Sequence, residues 1–172
     1  MKQASGSKKV SAEFFAHGYR MSGTYIIRNQ LLADVIYDPT TDYLLLHDAY
    51  LSPIMHPARI SAYYKLTLMD KSNLDFVLTV NQRDGLRRDQ HYGIPGNRFT
   101  VYLTLPYFEI TGDLFTTMKI FHPKSYITTE ASEFITLLDV TAHSTFNPDV
   151  SYQAGAALIH RSKLSYFGEK LS

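Results

Sequence analysis

The chain contains no cysteine. That excludes disulfide frameworks, thiol nucleophiles and thiolate zinc sites, and it fits a reducing compartment. Charge of either sign is also nearly absent in excess: 17 Lys and Arg stand against 16 Asp and Glu, a formal net charge of +1. Such a balance gives no strong pull toward phosphate backbones, anionic lipid or acidic substrates. No apolar run approaches the ~20 residues that a bilayer-spanning helix needs. Met1-Lys-Gln-Ala-Ser-Gly-Ser-Lys-Lys9 is not followed by the uninterrupted apolar stretch of a signal peptide. The expectation is a cytoplasmic protein with no membrane partner.

The signatures of common catalytic sites are missing as well. There is no Gly-x-Ser-x-Gly elbow, no Walker glycine loop, no Gly-x-Gly-x-x-Gly and no His-x-x-x-His pair. Of the seven histidines (His17, His47, His56, His91, His122, His143, His160), only His47 adjoins an obvious carboxylate, Asp48. No catalytic residue, metal or cofactor is assigned on this basis.

What is present is ordered and β-rich. Hydrophobic residues make up 45% of 172, with 13 Tyr and 10 Phe, which favours strands over disorder. Tyr19-Arg-Met-Ser-Gly-Thr-Tyr25 alternates with the period of a half-buried strand, and Gly23 marks a bulge or bend within it. Leu31, Leu32, Val35 and Ile36 switch to helical spacing before Asp38-Pro39, which predicts a short helical turn. Strand patterning resumes over 42–51, 60–68 and 74–80.

These features occur twice. Asp42-Tyr-Leu-Leu-Leu-His-Asp-Ala-Tyr50 is echoed by Glu133-Phe-Ile-Thr-Leu-Leu-Asp-Val-Thr141. Tyr19-Arg-Met-Ser-Gly23 overlays Phe108-Glu-Ile-Thr-Gly112, and Leu68-Met-Asp-Lys-Ser-Asn-Leu-Asp-Phe76 overlays Leu158-Ile-His-Arg-Ser-Lys-Leu-Ser-Tyr166. The glycines Gly23 and Gly112, the aspartates Asp48 and Asp139, and the prolines Pro57 and Pro148 are the markers of this duplication. The expected organisation is a flexible lead-in (1–9), a first repeat (10–80), a Gly- and Arg-rich linker (81–98), a second repeat (99–168) and a tail (169–172). A half-chain of this size lies near the lower limit for an independent core, so the repeats are expected to pack as a pseudo-dimer, equivalent strands meeting across an approximate twofold.

A strand with a central glycine, then a strand carrying Asp-Ala (Asp48-Ala49) or Asp-Val (Asp139-Val140), then a late aliphatic-x-basic-Ser motif (Ile159-His-Arg-Ser162), resembles the Sm-like small β-barrels. The layout is also similar to short bacterial domains of unknown function. The resemblance implies a mainly β fold of two tandem small barrels, each with a short helical turn. Both repeats lack the Asp-x-x-Met-Asn segment that shapes the uridine pocket of Sm proteins, so it does not extend to RNA binding.

Three functions follow as expectations. The first is a non-enzymatic binding or assembly module that associates with a protein partner or with itself. The second is an RNA- or DNA-binding protein using the linker, where Arg83, Arg87, Arg88, His91, Tyr92 and Arg98 combine cationic and stacking groups. The third is a metal-dependent hydrolase using Asp48 and Asp139, or His47. The structural reading of the two aspartates is that each ends a strand and bonds turn amides. The structural reading of the linker is a solvated loop whose Arg and Asp side chains satisfy one another.

Overall fold

In the computed structural model, which describes residues 8–171, the chain is mainly β. The first half contains β1 (Lys8–Ala16), β2 (Tyr19–Ile27), helix α1 (Leu32–Tyr37), β3 (Tyr43–Pro53), β4 (Ala62–Asp70) and β5 (Phe76–Thr79). The second contains β6 (Asn97–Leu105), β7 (Phe108–Thr116), the helical turn α2 (Pro123–Ser125), β8 (Phe134–Ser144), β9 (Ser151–His160) and β10 (Tyr166–Glu169). A single π turn, Tyr126–Glu130, extends α2. Lys8 and Lys9 already belong to β1, and Asn97 and Arg98 to β6. The lead-in is thus shorter than expected, and residues 1–7 lie outside the described residues. No helix is long and apolar enough to cross a membrane among the described residues.

All ladders are antiparallel and join into one open sheet of order β10-β6-β7-β8-β9-β5-β1-β2-β3-β4. The second half repeats the first pair for pair. β1 pairs β2 as β6 pairs β7, and Phe15↔Phe76 on β1 and β5 corresponds to Thr104↔Tyr166 on β6 and β10. Both β2–β3 and β7–β8 slip register at the central glycine, Gly23 or Gly112. There one glycine opposes two residues, Asp48 and Ala49 or Asp139 and Val140. This is a bulge that bends the sheet over its own core. A Cβ on Gly23 would lie 3.2 Å from Ala49 Cβ, and one on Gly112 would lie 3.1 Å from Leu137 Cβ, so the close approach selects glycine. Asp48 and Asp139 carry the left-handed backbone of the bulge (φ 48° and 51°), a conformation Asp tolerates better than most residues. They stand within β3 and β8, not at strand ends as expected.

The basic residue of the repeat closes each helical connection. Lys71 is buried, and its Nζ donates to the carbonyls of Val35 (2.7 Å), Asp38 (2.6 Å) and Thr41 (2.7 Å), where α1 gives way to β3. Arg161 Nη1 donates in the same way to Ile127 O and Ala131 O. Cations at a helix C-terminus satisfy carbonyls that have no intrahelical partner. Burial holds the Lys71 ammonium below its ordinary pKa, against the opposing pull of Asp38, Glu133 and Asp42.

The halves do not meet as equivalent strands across a twofold. The contact is β5 against β9: Phe76↔Ile159, Val77↔Leu158, Leu78↔Ala157, Thr79↔Ala156. The last strand of one repeat therefore pairs with the fourth strand of the other. Their cores interpenetrate at this seam. Phe15, Ile54, Phe76 and Leu78 pack into the core of the second half, while Phe134 and Leu158 pack into that of the first. Phe15 stacks on Phe76 at 4.2 Å between ring centroids, and both meet the edge of Phe108 at 5.1 Å.

Candidate functional site

The two ends of the sheet are copies of the two strands joined in its middle. β10 occupies in the second half the place of β5 in the first, and β4 occupies the place of β9. The inner pair is covered and the outer pair is open. Phe76 is 0% exposed and its counterpart Tyr166 is 76% exposed; Leu158 is 0% exposed and its counterpart Leu68 is 56% exposed. Leu66, the counterpart of the buried Ala156, is also exposed.

At three places the exchange is phenylalanine inside for tyrosine outside. Phe76, Phe108 and Phe134 are buried at the seam, and Tyr166, Tyr19 and Tyr43 stand exposed at the matching positions of the other repeat. A tyrosine ring offers the same apolar face, while its hydroxyl is satisfied by water when nothing covers it. Nine-residue β4 presents unpaired backbone groups along its outer edge with one lysine, Lys65, in its middle. A long edge with apolar side chains and little charge is the pattern that invites another strand.

The inner seam has further ties that use residues of both halves. Beyond the ladder, His160 N donates to Asp75 O (2.9 Å) and Gly155 N donates to Val80 O (3.0 Å). Arg20 Nη1 donates to the Tyr152 hydroxyl (3.3 Å), and its Nε lies 3.7 Å from the Glu13 carboxylate. Tyr37 of α1 shares a hydroxyl hydrogen bond with Thr136 of β8 (2.5 Å). Lys163 approaches the buried Asp75 carboxylate at 4.0 Å. Burial raises the pKa of that carboxylate, and Lys163 and His17 partly offset the rise. The linker lies directly over β9. Side chains added at Gly85 or Gly155 would collide with Ala156 and with the Asn81–Gln82 backbone respectively.

The linker residues predicted to bind are divided among several roles. Arg87 packs over the Tyr37 ring at 4.5 Å and approaches Asp89 at 3.8 Å. Its buried Nε has no hydrogen-bond partner among the described residues. His91 Nε2 is turned inward to the carbonyls of Arg83 (3.1 Å) and Leu86 (3.2 Å). Arg98 lies on β6 and reaches Asp113 at 3.9 Å. Arg88 ties α1 through its backbone, its N–H donating to the Asp34 carboxylate at 3.3 Å. Arg83, Arg88 and Tyr92 are exposed, and neither Arg83 nor Arg88 forms an ion pair among the described residues. Arg87 borders a cavity of about 360 Å³ shared with Tyr37, Gln90, Phe115, Tyr126 and Glu130. Burial, then Tyr37 and Glu130, push the Tyr126 phenol well above its ordinary pKa, so it stays protonated.

The repeated aspartates face different neighbours. Asp139 accepts a hydrogen bond from Gln82 Nε2 (2.8 Å), whereas Asp48 borders a cavity of about 440 Å³ with Tyr50, Thr79 and Gln153. No cluster of three or more His, Asp or Glu side chains suited to a metal ion occurs among the described residues. Pro57 and Pro148 both lie in the connection that follows the bulged strand, and Pro57 O accepts from Arg20 Nη2 (3.4 Å). Sequence reasoning assigned Tyr43, Tyr50, Tyr63 and Tyr64 to a contact between modules or with a partner, but did not single out β4 and β10 as the open edges. The signal that could have found them is the Phe-to-Tyr exchange between repeats. No protein-family profile, curated protein or solved structure matches the chain.

Proposed function

We propose that the chain is a non-enzymatic assembly module of two tandem small-barrel repeats, working through the open edges β4 and β10. The observation that carries this reading is the exposure of Leu66, Leu68, Tyr43 and Tyr166 at positions whose counterparts are buried at the inner seam. A strand edge associates through backbone hydrogen bonds along its length, while alternate side chains supply packing and choice of partner. The bulged second and third strands of each repeat, curved over that repeat's own core, suit a small-barrel unit. The interpenetrating cores make the pair of repeats one rigid building block.

Light scattering coupled to gel filtration tests the reading. The wild-type protein is expected to rise above monomer mass as concentration increases through the micromolar range. Leu66→Lys with Leu68→Lys, which places charge on an edge that is exposed in the monomer, is expected to hold it at monomer mass with its fold intact. A wild-type protein that stays strictly monomeric at high micromolar concentration contradicts it.

A further inference from the structure

The cavity of about 360 Å³ beside Arg87 has a counterpart in the first repeat, and the two differ in what encloses them. Phe115, Thr117, Phe134, Thr136 and Leu138 line the cavity, and the matching Ile26, Arg28, Tyr43, Leu45 and His47 line a hollow of about 410 Å³. The cavity of the second repeat is also walled by linker residues between Leu86 and Pro95, and by Tyr37 of the other repeat; the first hollow has no linker residue around it. The linker is held close at this rim, since a side chain added at Gly96 would collide with Thr116 O. The duplication thus supplies an apolar hollow twice, and the linker turns one copy into a charged site.

Three polar groups meet there. Arg87 borders the cavity with its guanidinium over the Tyr37 ring, and Asp89, at 3.8 Å, is beyond hydrogen-bond reach of its Nε. Glu130 is fixed by two hydroxyls: Oε2 accepts from Thr116 Oγ1 (2.5 Å) and Oε1 from Thr117 Oγ1 (3.1 Å). Each carboxylate oxygen keeps room for another donor. Tyr126 is buried and senses both charges: Glu130 raises the pKa of its phenol and Arg87 lowers it, while burial, the larger effect, keeps it protonated. Phe115, Phe134 and Leu138 form the apolar wall.

We infer that this cavity binds a free α-amino acid with an apolar side chain, its carboxylate on Arg87, its ammonium on Glu130 and its side chain against Phe115 and Phe134. A guanidinium without a close carboxylate partner calls for an anion, and a fixed carboxylate with acceptor capacity left calls for a cationic donor. A purely anionic ligand would face Glu130 and Asp89, and a purely cationic one would face Arg87. A zwitterion answers both charges within one small molecule. The volume lies at the small end of ligand sites, which run to about 300–1,000 Å³, and suits an amino acid better than a nucleotide. The inference goes beyond the assembly reading and uses no residue of β4 or β10, so a strictly monomeric protein would leave it standing.

Three matched probes test it by calorimetry: L-phenylalanine, phenylpropanoate, which lacks the ammonium, and phenylethylamine, which lacks the carboxylate. L-Phenylalanine is expected to bind the wild type saturably in the micromolar to millimolar range and to shift the Arg87 Nε–H resonance. Each truncated probe is expected to bind at least about tenfold more weakly. In Arg87→Gln the advantage of phenylalanine over phenylethylamine is expected to vanish, and in Glu130→Gln its advantage over phenylpropanoate. Arg88→Gln, next along the linker but outside the cavity lining, is expected to keep both. Thermal melts establish that each variant is folded; for one that is not, the wild-type ranking of the probes and the Arg87 resonance decide. No saturable binding of phenylalanine would overturn the inference. Phenylpropanoate or phenylethylamine binding as tightly as phenylalanine would replace the zwitterion site by a plain anion or cation site. Discrimination unchanged in both cavity variants would place the ligand elsewhere on the molecule.

Discussion

The inner seam and the outer edges are built from the same two strands, yet one is a core and the other is a surface. At the seam, β5 is buried on both sides, Phe134 and Leu158 cross into the opposite half, and His160 and Gly155 add hydrogen bonds beyond the ladder. At the edges, the same positions carry Tyr166, Tyr43 and Leu68 in solvent. Fold position is therefore held constant while chemistry changes, which separates what a small β unit needs for its own structure from what varies between a covered strand and an open one. Within a repeat, the bulge glycine, the left-handed aspartate and the cation capping the helical connection are kept. At three positions the ring is kept and gains a hydroxyl where it is uncovered: Phe76, Phe108 and Phe134 inside against Tyr166, Tyr19 and Tyr43 outside.

The largest expected effect separates the two surfaces by stability. Phe76→Ala removes a fully buried ring from the stack with Phe15 and Phe108, and is expected to cost about 3–5 kcal/mol of unfolding free energy in denaturant titration. Tyr166→Ala, at the matching outer position, is expected to change monomer stability by less than about 0.5 kcal/mol. Equal losses from the two variants would mean that the outer strand is already covered within the single chain, and the contrast would fail.

Much of this contrast was legible in the sequence, and its key feature was not. The overlay of Tyr19–Gly23 on Phe108–Gly112, and of Leu68–Phe76 on Leu158–Tyr166, identifies the same repeat that the register of the ladders shows. Asp48 and Asp139 stand out in the sequence as a pair, but the reason for the aspartate is not visible there. A run of aliphatics ending in Asp reads as a strand end, whereas a bulge places Asp in the left-handed region without ending the strand. The polarity of the seam was hidden for a deeper reason. A duplicated pattern states which strands each repeat contains but not which free edge meets which, and a twofold and a head-to-tail contact use the same hydrophobic positions. The traces that distinguish them are small: Phe for Tyr at three places, and Ala154-Gly-Ala-Ala157 in β9, thinned so that the linker can pass over it. The linker arginines are conspicuous in the sequence because they cluster, but clustering says nothing of where the segment lies. Gly85 and Gly155 record where that segment lies, and they are informative only once the backbone is in place.

A smaller, pH-dependent effect sharpens the same comparison. The turn after β4 is capped by Asp70, which accepts from Ser72 N (2.9 Å). The turn after β9 is capped by His160, whose Nδ1 accepts from Ser162 N (3.2 Å) and Oγ (2.6 Å) beside Phe134. Burial lowers the His160 pKa from its ordinary value of 6.5, ahead of the opposing effect of Glu133. The unfolded chain then takes up a proton before the folded one, so stability falls as pH drops through the interval just below 6.5 and levels off once the folded imidazole also protonates. His160→Asn keeps an acceptor for Ser162 and removes the titration. Thermal melts between about pH 7.5 and about pH 5.5 are expected to show the decline in the wild type and a flatter profile in the variant. The same decline in both proteins would assign it to another group.

Hydrogen exchange of β4 and β10, measured at two protein concentrations, bears most directly on the claim that the open edges are a second, vacant instance of the seam. The outward amides of both strands are expected to exchange quickly in dilute protein and to become protected together in concentrated protein, while β5 and β9 stay protected throughout. Exchange in β4 and β10 that is rapid at every concentration, or protection that grows in only one of the two strands, would contradict it.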